Sequence, residues 1–264
     1  MSEKRVITLI TDFGDKGGYV GAMKGVILTI NPCCQIVDVT HGIAPQDVEE
    51  AAFLLYNVYS YFPADSIHLV VVDPGVGSER KSLLVKTKNY CFVGPDNGVL
   101  SFVLLRSEYK KVWEITNSCY LLPEVSATFH GRDVFAPVAA HLSRGVPAEE
   151  MGREGKDFVV LKDLEPEVST GVIRAKVVYV DRFGNLVTNI SRDLFTREVA
   201  ERPFKVKVKR EVIKKLSCSY AEAGEGEVVA LLGSSGWVEI ALKNGNCQKA
   251  LSAGKGAIVE VYLS

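Results

Sequence analysis

"RVITLITDFGDKGGYVGAMKGVILTINPCCQIVDVT", residues 5–40, decides the fold. It opens on an apolar run, Val6–Ile10, which breaks at the polar, glycine-rich loop "TDFGDKGG". Apolar residues then recur at helical spacing through "YVGAMKGVILTI" (19–30) and stop at Asn31-Pro32. "QIVDVT" (35–40) reads as a strand again. Strand, helix and strand in so short a span form the unit from which parallel sheets are built.

The alternation continues outward from this stretch. Asp47 with Glu50 three positions later is a capping-box start for a helix running through "VEEAAFLLYNVYSYF" to Pro63. "SIHLVVV" (66–72) is a third strand, and "SLLVKT" (82–87) and "YCFVG" (90–94) are shorter ones. "RDVFAPVAAHLSRG" reads as a helix with Gly145 just past its end. The pattern changes at a linker-like "LEPEVSTG" (164–171). Beyond it come strand candidates separated by turns: "VIRAKVVYVD", "FKVKVKR", "GEVVALLG", "WVEIAL" and "AIVEVYL", with no strong amphipathic helix among the later ones. The expected architecture is an α/β domain with a largely parallel sheet (1–165), followed by a smaller all-β, barrel-like domain (166–264).

Composition narrows the function classes. The 264 residues are 47% hydrophobic and 24% charged, enough to bury a real core, and the net charge of −1 gives no attraction to nucleic acid or an anionic membrane. The basic run "KVKVKREVIKK" (205–215) alternates as the solvated face of a strand does. No stretch approaches the ~20 apolar residues of a membrane span, and the first residues lack a signal-peptide pattern, so a cytoplasmic protein is expected. Six cysteines without CxxC spacing are expected to be reduced and mostly buried.

In a parallel α/β sheet, ligands sit beyond the carboxyl ends of the strands. Five polar, glycine-flanked turns occupy such positions: Asp12 in "TDFGD", Asp38 and His41 in "VDVTHG", Asp73 in "VVDPGVGSER", Asp96 and Asn97 in "GPDNG", and His130, Arg132 and Asp133 in "TFHGRD". Each has a plain structural reading. Asp73 before Pro-Gly is a turn former, "GPDNG" is a turn, Asp47 is a helix cap, and His41 and His68 each satisfy a local hydrogen bond. Arg80 resists such a reading, because the compact turn before it returns it towards Asp73. His130, in a glycine-flanked loop at a helix start, fits poorly as a core residue. Nucleophile-elbow, P-loop, GxGxxG and HExxH patterns are all absent. Four histidines without ligand spacing argue against zinc, whereas a Mg²⁺-dependent phosphohydrolase using Asp12, Asp38 and Asp73 fits composition.

Taken together, "TDFG", "YVGAMKGVI", "IVDVTHGI", "DVEEAA", "VVDPGVGSER", "GPDNGVL", "TFHGRDVFAP", "DRFGNLVTNI" and "LLGSSGWVEIA" resemble, in order and over nearly the whole chain, the S-adenosyl-L-methionine (SAM) hydroxide adenosyltransferases. These are adenosine-forming SAM hydrolases related to SAM-dependent fluorinases and chlorinases. The resemblance implies SAM as substrate, no cofactor or metal, and a homotrimer binding SAM between the N-domain of one subunit and the C-domain of its neighbour. It implies a water-activating set of Asp73, Arg80 and His130. It places Asp12 on the ribose, and Asp181, Phe183, Asn185, Ser234 and Glu239 on the ligand. Halogenating relatives have an arginine at the position of Ser235, a tyrosine at that of Asp73 and a serine at that of Gly131. A carboxylate at Asp73 would repel a halide, so the resemblance favours water as nucleophile. Halide transfer to SAM and a non-catalytic SAM or adenosine sensor are the alternatives.

Overall fold

The computed structural model describes residues 5–107, 110–200 and 202–263, and the chain divides into two compact units, Met1–Leu161 and Lys162–Ser264. In the first unit, β1 (Val6–Thr11), α1 (Tyr19–Ile30) and β2 (Gln35–Thr40) form the expected opening motif. They are followed by α2 (Val48–Val58), β3 (Ile67–Val71), β4 (Ser82–Thr87), β5 (Cys91–Pro95), α3 (Ser101–Arg106), β6 (Lys110–Ile115), α4 (Ala136–Ser143) and β7 (Gly152–Glu154). The strand order is β2-β1-β3-β5-β4-β6-β7. β2, β1, β3 and β5 run parallel. The hairpin connection at residues 88–90 is too short for a crossover, so β4 pairs antiparallel with β5, and β6 and β7 continue antiparallel.

Alternation along the central strands assigns the two faces. Ile7, Leu9, Ile67, Leu69 and Val71 pack with Met23 and Ile27 of α1 and Val138, Ala139 and Leu142 of α4. Ile10, Val70 and Val72 pack instead with Ala51 and Leu55 of α2 and Val103 and Leu104 of α3. A buried strand with apolar residues on both faces needs such a three-layer arrangement. Asp47 caps α2 by accepting the Glu50 N–H at 2.9 Å. His68 has its Nδ1 2.8 Å from Thr8 Oγ1 and stacks on Phe92; burial pushes its pKa down to about 3.

The second unit holds β8 (Glu167–Ser169), β9 (Val172–Val180), β10 (Leu186–Ser191), α5 (Arg192–Val199), β11 (Phe204–Val208), β12 (Glu211–Ile213), β13 (Leu216–Ser217), β14 (Val228–Leu232), β15 (Trp237–Leu242), α6 (Cys247–Leu251) and β16 (Ile258–Leu263). Its strands follow the order β12-β11-β16-β9-β10-β15-β14-β13, with β8 added on β9, in a nearly closed barrel. Inward-facing Ile173, Val177, Ile190, Val206, Ile240, Val259 and Val261 fill the interior. Two short helices interrupt this unit beyond the sequence expectation; Ser191 caps α5 by accepting the Leu194 N–H.

All six cysteines are free, but Cys33, Cys119 and Cys218 are exposed and only Cys247 is buried, which corrects the expectation of mostly buried thiols. Among the described residues, no helix is long and apolar enough to cross a membrane.

The β3–β4 connection is a tight, internally bonded turn. Val76 N–H donates to Asp73 O, and Ser78 donates through both N–H and Oγ to Gly75 O. Gly77 has φ +78°, and a Cβ there would lie 2.3 Å from Ala127 O. Both the torsion and the close approach require glycine. Gly77→Ala is expected to destabilise the protein by about 1–3 kcal/mol in urea titrations; a midpoint equal to that of the native chain would show that the turn relaxes freely.

Candidate active site

The strand order turns at β1: β2 lies on one side of it and β3 on the other. The carboxyl ends of β1 and β3 therefore flank a topological switch point, where open α/β sheets bind ligands. Asp12 follows β1 and Asp73 follows β3. Both line a cleft of about 280 Å³, together with Phe13, Gln46, Val76, Phe129 and His130.

Asp73 and Arg80 meet across the turn. Arg80 Nε lies 2.9 and 3.0 Å from the two Asp73 oxygens, and Nη2 lies 2.5 Å from Oδ2. Both side chains are largely buried, 8% exposed for Arg80 and 6% for Asp73. Nη1 donates to Ser82 Oγ at 2.9 Å and to Lys81 O at 3.2 Å. Nη2 also lies 2.7 Å from His130 Nδ1, and the guanidinium sits over the Phe135 ring. A guanidinium only donates, so His130 Nδ1 is the acceptor and Nε2 carries the ring proton. Burial and the neighbouring Arg80 charge lower the His130 pKa, against smaller opposing contributions from Asp73 and Asp133.

His130 stands immediately before a π-helical turn, Gly131–Phe135, that leads into α4. Such turns widen the helix and aim side chains differently from a regular α-turn. Gly131 is packed against Val71, Met23 and Phe129. Buried Asp133 fixes the preceding loop, accepting from Ser126 N–H at 2.8 Å and from Arg132. Asp12 accepts the Gln46 N–H on Oδ2 at 2.8 Å. Asp38, the third carboxylate of the composition-based Mg²⁺ grouping, is engaged by Lys24 and His41.

In the second unit, Asp181, Phe183 and Asn185 line a cavity of about 700 Å³ together with Tyr220 and the segment from Leu242 to Asn246. Asp181 shapes the "DRFGN" loop: Oδ1 accepts the N–H groups of Phe183 and Asn185, and Oδ2 accepts the Asn185 side-chain amide, all at 2.9 Å. This leaves the Phe183 ring 76% exposed, an uncommon place for a phenyl group. Glu239 is buried on β15 and accepts the Tyr220 hydroxyl at 2.5 Å. Burial raises its pKa, and the Asp181 charge adds to the rise. Ser234 is exposed in the Gly233–Gly236 turn and does not line this cavity. Sequence reasoning missed Ser82, Phe135 and Tyr220, whose importance is set by tertiary contact and leaves no local signal.

An α/β unit with an acid–guanidinium–imidazole cluster at its switch point, followed by a β-barrel, defines a two-domain ligand-processing architecture. Residues 7–152 match the family model for the SAM hydroxide adenosyltransferase N-terminal domain and residues 175–260 that for its C-terminal domain. The chain belongs to the SAM hydroxide adenosyltransferase family. It is 36% identical to a protein of Methanocaldococcus jannaschii named (R)-S-adenosyl-L-methionine hydrolase, covering 94% of this chain and 92% of that protein. A fluorinase of Actinopolyspora mzabensis is 25% identical, over 89% of this chain and 90% of its own. The crystal structure of a conserved Thermotoga maritima protein superposes with a TM-score of 0.89 at 38% identity, covering 97% and 99% of the two chains.

The His130 geometry predicts a titration. Its midpoint lies below the ordinary 6.5, so the folded state binds fewer protons than the unfolded state under mildly acidic conditions. The stability this contributes is complete above 6.5 and is lost as pH falls towards the folded midpoint. NMR of the imidazole is expected to give that depressed midpoint, and Arg80→Gln to raise it. An unchanged midpoint in the variant would separate His130 from Arg80 electrostatically.

Proposed function

We propose that the protein hydrolyses SAM to adenosine and L-methionine, by attack of water at ribose C5′. The single observation that carries this reading is the Asp73–Arg80–His130 cluster, assembled in the cleft that also holds Asp12. Membership of the family, and relatives at 34–36% identity named (R)-S-adenosyl-L-methionine hydrolase, support it.

The leaving group departs from a sulfonium as a neutral thioether and needs no general acid. Water is the difficult partner, with a pKa of about 15.7 in bulk. A water placed between the Asp73 carboxylate and the His130 Nε2–H is oriented by one acceptor and one donor. Asp73 takes the proton as the C–O bond forms and the C–S bond breaks. His130 does not compete for that proton, because its Nδ1 is occupied by Arg80 and its Nε2 is already protonated. Arg80 holds the carboxylate and the imidazole in place and, with its N–H groups spent on protein acceptors, acts on the water only through them. The carboxylate that serves water opposes a halide at the same place.

In this reading residues 1–165 supply catalysis and the ribose carboxylate Asp12, and residues 166–264 complete the ligand site through Asp181, Phe183, Asn185, Ser234 and Glu239. The assembly is a homotrimer in which the second domain of a neighbouring subunit covers the first. The modest size of the Asp12–Asp73 cleft, at the low end for a ligand of this size, supports that requirement. The enzyme works in the cytoplasm, without a cofactor or metal, and takes neither nucleic acid nor membrane as partner.

Incubation of the protein with SAM is expected to yield equimolar adenosine and methionine, unaffected by chloride or EDTA. Asp73→Asn is expected to lower turnover on the order of 10²–10⁴-fold with SAM binding largely kept. A chlorinated nucleoside would assign the protein to halide transfer; loss of activity with EDTA would assign it to metal chemistry. Binding without turnover would make it a sensor. Light scattering that reports a monomer would remove the trimer.

A further inference from the structure

The loop that carries Asp12 is held by a chain of polar groups that the reaction itself does not use. At the end of β2, His41 is only 9% exposed. Its Nε2 lies 3.1 Å from Asp38 Oδ1, within ion-pair distance but outside hydrogen-bond geometry, and Asp38 Oδ2 in turn meets Lys24 Nζ at 2.5 Å. On the other side of the ring, Nδ1 lies 2.9 Å from Thr11 Oγ1. Thr11 Oγ1 also accepts the Phe13 N–H at 3.3 Å. The backbone of His41 joins in, its carbonyl accepting the Gly14 N–H at 2.8 Å.

Donor and acceptor roles follow from the ends of the chain. A carboxylate facing Nε2 favours the tautomer with the proton on that nitrogen. Nδ1 is then an acceptor, so the Thr11 hydroxyl must donate to it. That fixes the hydroxyl rotor and turns an oxygen lone pair to the Phe13 N–H. From His41 Nδ1 through Thr11 Oγ1 to the Phe13 N–H, each group thus has one consistent role. Hydroxyl, imidazole and carboxylate stand in the order of a hydrolytic triad. Thr11 is fully buried, however, and its oxygen is occupied by a backbone N–H, so it reaches no substrate.

The chain converges on one peptide segment. Asp12 lies between Thr11, whose side chain is clamped by His41, and Phe13 and Gly14, whose N–H groups are held by Thr11 and by His41. We propose that His41, oriented by Asp38, is a positioning residue that sets the Asp12–Phe13 segment for binding the substrate's ribose diol, acting through the Thr11 hydroxyl. This rests on the reading that Asp12 contacts the nucleoside. The assembly does in the α/β unit what outer-shell partners do at metal and catalytic sites, where the residue behind the ligand fixes its direction.

Thr11→Val tests this with little change in shape, and the readouts are adenosine affinity by calorimetry and the KM and kcat for SAM. Thr11→Val is expected to weaken adenosine binding and raise KM on the order of tenfold, with kcat much less affected. Thr11→Ser, which restores the hydroxyl, is expected to recover most of the loss. In an Asp12→Asn background, Thr11→Val is expected to add little, since the two changes act on one interaction. Should Thr11→Val melt early, Asp38→Asn at the half-exposed end of the chain carries the same test, with a smaller shift in the same direction. Wild-type affinity in these variants would overturn the proposal. So would an undiminished loss in the Asp12→Asn background. Failure of the native protein to turn over SAM, with the adenosine pattern intact, would instead count against the proposed reaction and leave the positioning role standing.

Discussion

The ion pair between Asp73 and Arg80 is the interaction on which the first unit's functional end depends. Removing two charges from water costs several kcal/mol per ion unless the remaining hydrogen-bonding capacity is met. Here it is met in full for the cation. All five N–H bonds of the guanidinium point at acceptors: the Asp73 carboxylate, Lys81 O, Ser82 Oγ and His130 Nδ1. The flat face lies on Phe135. A lysine could not make this set, because it lacks the planar fork and the stacking face. Turn, strand β4 and π-helical turn are each anchored to the same guanidinium, so the geometry of three separate segments is fixed by one side chain.

Topology explains why these segments meet. β1 and β3 are neighbours because the chain leaves β1 through α1 to one side and returns through α2 to the other. Their carboxyl ends then present Asp12 and Asp73 to one cleft, although the residues are far apart in sequence. Gly77 allows the β3–β4 turn to press against Ala127, in the loop that brings Phe129 and His130. A side chain at Gly77 would push that loop away from Arg80. The packing of one turn against another is therefore part of the electrostatics of the site.

Much of this was legible in the sequence, for identifiable reasons. The helix over Tyr19–Ile30 follows from apolar spacing and a proline stop, and the Asp47 cap from the carboxylate three residues before Glu50. The change of pattern near residue 165 reflects a real change from helices on a sheet to a barrel. The antiparallel half of the first sheet was less legible, because alternation defines a strand but not its partner. α3 and α6 are too short for helical periodicity to emerge, whereas α5, as long as α4 and capped by Ser191, carries a signal that the strand-like spacing around it masks. In the site, the aspartates and the arginine after the turn could be read from strand ends and resemblance. Ser82 could not: it is the first residue of a strand, and only the fold turns its hydroxyl to Arg80. The exposure of Cys33, Cys119 and Cys218 was misread because thiols are usually buried, a tendency that says nothing of a particular loop.

An ion-paired carboxylate suits the proposed chemistry better than a lone one. C5′ of a sulfonium-bearing ribose is electrophilic, and a free carboxylate beside it is itself a nucleophile that would form an ester. Arg80 engages both oxygens of Asp73, so the carboxylate cannot advance onto C5′ without breaking charge-assisted bonds, whereas a proton reaches it through the water without any movement of the pair. His130 is restrained in a complementary way: Arg80 occupies one nitrogen, and the other bears a proton. Both groups are thus limited to handling water rather than reacting in its place. In the proposed reaction the ribose is held by Asp12 and the water by Asp73, two carboxylates of one cleft.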